Sequence, residues 1–88
     1  MVVLVTYDLL KPVKDYEKLI DAIKTYANWW HYLESVWLLD TGSSAAEVGI
    51  YLNKFIDRDD SLMAIRVTKD YEGWLPADAW NWLNGKTF

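Results

Sequence analysis

The 88-residue sequence contains no cysteine and only one histidine, two prolines and four glycines. Without cysteine there is no disulfide, no thiolate zinc site and no cysteine nucleophile, and a lone histidine cannot form a histidine metal cluster. The same absence fits a reducing compartment, so a cytoplasmic protein is expected. Also missing are a serine–histidine–aspartate order, a glycine-rich phosphate loop and a paired-histidine zinc spacing, which leaves conventional hydrolase and nucleoside-triphosphatase roles without support. The apolar start, Met1 to Val5, is too short for a membrane span or a signal-peptide core and meets Thr6, Tyr7 and Asp8 at once. No repeat, low-complexity tract or linker divides the chain, so residues 1–88 are expected to form one domain, with 70–88 as a tryptophan-rich extension. An excess of positive charge is lacking too. Thirteen acidic side chains against nine basic ones leave a net charge of −4, which argues against non-specific binding to duplex DNA.

What the chain does have is apolar surface. Half of it is hydrophobic (52%), with six tryptophans and six tyrosines. A domain this short buries only roughly 60–65% of the surface its unfolded chain exposes, so its core is thin and gains from a partner. Large aromatic side chains offset some of that thinness.

Hydrophobic periodicity gives an α+β reading of the form β-α-β-α-β. Val2 to Tyr7 is β-branched on both faces, as in a central strand covered on two sides. Pro12 suits a connection into a helix, Asp15 is placed to cap it, and Tyr16, Leu19, Ile20, Ile23 and Ala27 form its apolar stripe. This spacing predicts a helix to about Ala27, with Trp29 and Trp30 at its exit. Tyr32 to Leu39 reads as a second strand, with a possible break near Glu34 and Ser35 that would split it in two. Ser44 and Glu47 fit a capping box for a helix whose stripe is Val48, Tyr51, Leu52, Phe55 and Ile56. Leu62 to Val67 reads as the next strand after the charged turn Asp57 to Asp60. Pro76 and Gly85 then bracket a short aromatic helix or lid containing Trp80 and Leu83, expected over an open sheet edge or a dimer seam. Two helices cover one face of a small sheet, while the first and third strands are apolar on both faces. A homodimer paired through the sheet is the expected cover for the other face.

Tyr7-Asp8 ending the first strand, Ser35-Val36-Trp37 in the second and Asp60-Ser61-Leu62 opening the third resemble the small CRISPR adaptation subunit and the related VapD-type ribonucleases over about residues 1–68. Trp29-Trp30-His31 and the tryptophan-containing tail resemble a SinR-like branch of that superfamily. The resemblance implies a ferredoxin-like homodimer in which Asp8 meets its symmetry mate near the two-fold axis, and in the nucleases that pair holds a divalent metal. Two close carboxylates suit Mg²⁺ or Mn²⁺, which take few protein ligands and keep water positions open. The chain departs from the nuclease pattern after the first strand, where Leu9-Leu10 and isolated lysines stand in place of basic residues. A DNA-bridging role needs a basic surface that a net charge of −4 does not supply.

Asp8 is therefore the candidate catalytic and metal-binding residue, against the alternative of a strand-end carboxylate bonded to turn amides. Tyr7, Trp29, Trp30, His31 and Trp37 are the candidate substrate-binding residues. His31 would donate a proton if the fold set it beside Asp8, and is otherwise structural. Of Trp29 and Trp30, one is expected in the core and the other exposed. Lys11, Lys14 and Lys18 read as a solvated face rather than a phosphate grip. Two functions follow as expectations. One is a metal-dependent ribonuclease or phosphodiesterase active as a homodimer. The other is a non-enzymatic binding protein of phage or mobile-element type, holding a nucleotide signal or a host protein at its dimer seam.

Overall fold

The structure, a computed structural model, describes residues 1–88. Four strands form an antiparallel sheet: β1 (Val2–Asp8), β2 (Asn28–Leu33), β3 (Val36–Asp40) and β4 (Ser61–Val67), in the spatial order β2-β3-β1-β4. Helix α1 (Glu17–Lys24) joins β1 to β2, α2 (Ala45–Leu52) joins β3 to β4, and α3 (Ala77–Asn84) closes the chain. This is the ferredoxin-like α+β arrangement. Alternate residues of β1 point to opposite faces, so Val3 and Val5 lie under α1 and α2 while Val2 and Leu4 lie on the other side.

The larger core joins Val3, Val5, Trp37 and Leu39 of the sheet to Leu19 and Ile23 of α1 and Val48 and Leu52 of α2. The start of α2 is as its sequence requires. Ser44 Oγ accepts from Glu47 N at 3.1 Å, and Ser44 N donates back to Glu47 Oε1 at 3.0 Å.

Three features differ from the sequence reading. Asp15 does not cap α1: residues Val13–Tyr16 make a 3₁₀ turn after an extended Pro12, and α1 starts at Glu17 without a side-chain cap. The helix also stops early, because Thr25 bonds back through its hydroxyl to Ala22 O at 2.6 Å and its N–H is shared between Asp21 O and Ala22 O. Trp29 and Trp30 consequently belong to β2 rather than to a helix exit. The possible break in the second strand is real, since Glu34-Ser35 forms the turn between β2 and β3, with Ser35 in the left-handed region at φ 57°.

The third difference concerns the second sheet face. Instead of closing a sheet edge, α3 lies on that face and builds a smaller core from Val2, Trp30, Leu38, Ala79 and Leu83. The tail leaves a strip of the face open, where Leu33, Ile65 and Met63 are 46%, 45% and 55% exposed. No helix is long and apolar enough to cross a membrane.

Candidate functional site

Asp8 ends β1 opposite Ser61 of β4. Strand alternation sets it on the same face as Thr6 and Met63, beside the strip that α3 leaves open. Its side chain is exposed and enters no hydrogen bond or ion pair. Thr6, Ser61 and Met63 line a shallow recess of about 260 Å³ around it.

The turn amides that a strand-end carboxylate would bond go to a different residue. Asp60 Oδ1 accepts from Leu10 N at 3.0 Å and from the Tyr16 hydroxyl at 2.8 Å, and Asp60 Oδ2 accepts from Asp57 N at 2.7 Å. Partial burial disfavours the Asp60 anion, but these three donors outweigh it and hold its carboxyl below the usual range. Lys11, read as part of a lysine face, pairs with Asp57 at 3.3 Å across the same junction.

The aromatic candidates separate by face. Tyr7 points toward the helices, where its hydroxyl accepts from Trp37 Nε1 at 3.1 Å. His31 lies flat on buried Trp37, with ring centroids 3.8 Å apart and planes 3° from parallel. Its Nδ1 is 2.9 Å from Val36 O, so Nδ1 carries the proton and donates to that carbonyl. Trp29 meets Trp37 edge-on at 5.3 Å, and the Lys24 ammonium rests 5.4 Å from the Trp29 ring. Tyr7, Trp29, His31 and Trp37 thus form one cluster, on the face opposite Asp8. Proton donation from His31 to a reaction at Asp8 has no geometric basis within one protomer.

Trp30 faces the other way and is 2% exposed, and its Nε1 donates to Ala79 O at 3.2 Å. It anchors α3, and it lines an apolar pocket of about 250 Å³ on that face with Leu33, Val36 and Trp80. Trp29, 41% exposed, is the accessible member of the pair. Sequence reasoning missed the junction held by Asp60 and the approach of Lys24 to Trp29. Both contacts arise from chain reversals that leave no periodic trace.

No three histidine or acidic side chains gather to hold a metal within the protomer. The donor chemistry at Asp8 nonetheless fits half a Mg²⁺ or Mn²⁺ site, because these ions accept one or two carboxylates and fill the rest with water. In the expected homodimer, Asp8 of a second copy would supply the other carboxylate.

No curated protein and no solved structure matches the chain. The model of one family, CRISPR associated protein Cas2, matches residues 1–73, which run from β1 through β4 into the loop before α3. The match reaches the family and not the SinR-like branch. With that match over most of its length and a ferredoxin-like sheet ending β1 in an aspartate, the chain belongs to the CRISPR-associated Cas2 family.

Proposed function

We propose that the protein is a metal-dependent phosphodiesterase that cleaves RNA as a homodimer, with Asp8 from each copy as the catalytic metal ligand. The observation that carries this reading is the free carboxylate of Asp8. A structural aspartate at a strand end is bonded to turn amides, and here Asp60 performs that task while Asp8 bonds to nothing.

The open strip of Leu33, Ile65 and Met63 supports the dimer, since a second sheet placed there removes apolar side chains from water and brings two Asp8 edges to one seam. The two Asp8 carboxylates would hold a divalent ion, which would supply Lewis acidity toward a phosphodiester. Asp8 binds and orients, and Ser61, its exposed cross-strand neighbour, can donate its hydroxyl to a phosphate oxygen. The family assignment supports the same chemistry.

The test is cleavage of a labelled single-stranded RNA with Mg²⁺ or Mn²⁺, with light scattering to follow the dimer. Asp8→Asn is expected to lower the rate by at least about a hundredfold, since loss of outer-shell groups alone costs 10–100-fold, and to leave the dimer intact. Cleavage retained by Asp8→Asn, or indifferent to a chelator, overturns the proposal.

A further inference from the structure

We propose that the cleft between α1 and the β2–β3 hairpin binds a nucleoside 5′-monophosphate, at a site separate from Asp8 and on the opposite face of the sheet. The cleft measures about 310 Å³, the lower end of the roughly 300–1,000 Å³ typical of small-molecule sites. That size accommodates one nucleotide.

Its parts match the three chemical features of such a ligand. His31 is exposed, yet one ring face lies on Trp37 and its Nδ1 is tied to Val36 O, so the other face is a fixed platform on which a base can stack. Fixing that ring beforehand lowers the ordering cost of binding. Lys24, which lines the cleft, has no carboxylate partner, and its ammonium, 5.4 Å from the Trp29 ring, can turn to meet a phosphate. Glu34, also in the lining and unpaired, can accept from ribose hydroxyls or a base amino group. Val13 and Ile20 supply an apolar wall for the ring.

Isothermal titration with 5′-AMP, 5′-GMP and their nucleosides tests the site. Wild-type protein is expected to bind at least one nucleotide saturably and its nucleoside about tenfold more weakly. Lys24→Gln is expected to erase that difference. His31→Ala is expected to weaken nucleotide binding by about tenfold or more, and His31→Phe, which keeps a ring on Trp37, to restore most of it. Asp8→Asn is expected to bind as the wild type does. The proposal is overturned if neither nucleotide binds saturably, if the phosphate preference survives Lys24→Gln, if His31→Ala binds unchanged, or if Asp8→Asn abolishes binding.

Discussion

Asp60 shows how one side chain can hold a small fold together from a loop. Its two oxygens take a backbone N–H from the β1–α1 connection, a hydroxyl from the 3₁₀ turn before α1 and a backbone N–H from its own turn. An asparagine in its place keeps the size but turns an amide N–H₂ toward one of those donors. Asp60→Asn is therefore expected to lower the midpoint of urea unfolding at neutral pH. The sign of the pH dependence follows from the depressed carboxyl: stability is fully present above the ordinary value of 3.8 and is lost as pH falls through the lower folded value. The gap between wild type and Asp60→Asn should close over that acid range, and a gap that stays constant with pH would refute the role. In the sequence Asp60 ends a run of charged residues after α2 and opens the third motif of the family resemblance, but nothing there marks it as a cap for the β1–α1 connection. Its partners Tyr16 and Leu10 lie 44 and 50 residues away, beyond any local pattern.

At the scale of elements, the β2–β3 hairpin decides what both sheet faces contain. Trp29 and His31 go to the helix side and Trp30 to the α3 side because β2 begins at Asn28. Strands β1, β3 and β4, the capping box of α2 and the break at Glu34-Ser35 were legible, since each rests on residue types with strong local preferences, whereas the start of β2 at Asn28 was not. The end of α1 was not, because the apolar stripe extends past Thr25 to Ala27 and the hydroxyl that stops the helix acts through a single bond. The hairpin turn itself holds Ser35 in the left-handed region. That conformation costs a residue with a Cβ roughly 1–2 kcal/mol, against about 0.5–1 kcal/mol for the extra chain entropy of glycine. Ser35→Gly is accordingly expected to stabilise the protein by about 0.5 kcal/mol, raising Tm by roughly 2–4 °C in a domain of this size. A lowered Tm would mean that the serine hydroxyl contributes more than its backbone costs.

For the molecule as a whole, the question is how a sheet with two apolar faces is covered by so short a chain. Two helices take one face, and the tail, beyond the residues matched to the family, takes part of the other. The sequence marked that tail as a helix through Pro76 and Gly85, but its tryptophans and leucines suit any apolar surface, so the place of docking could be learned only from the structure. Docking is specific there: Trp30 donates to Ala79 O, Lys86 pairs with Asp40 at 3.4 Å, and Arg66 reaches Phe88 O at 3.3 Å. Leu83 sits at the centre of this contact, 4% exposed. Truncating a buried leucine to alanine costs about 2–4 kcal/mol, a large share of the roughly 5–10 kcal/mol that holds a small domain folded. Leu83→Ala is thus expected to lower Tm by roughly 10–20 °C. If the tail instead swung free in solution, Leu83 would already be in water and the substitution would leave Tm nearly unchanged, with Val2, Leu38 and Trp30 then open to a partner's sheet.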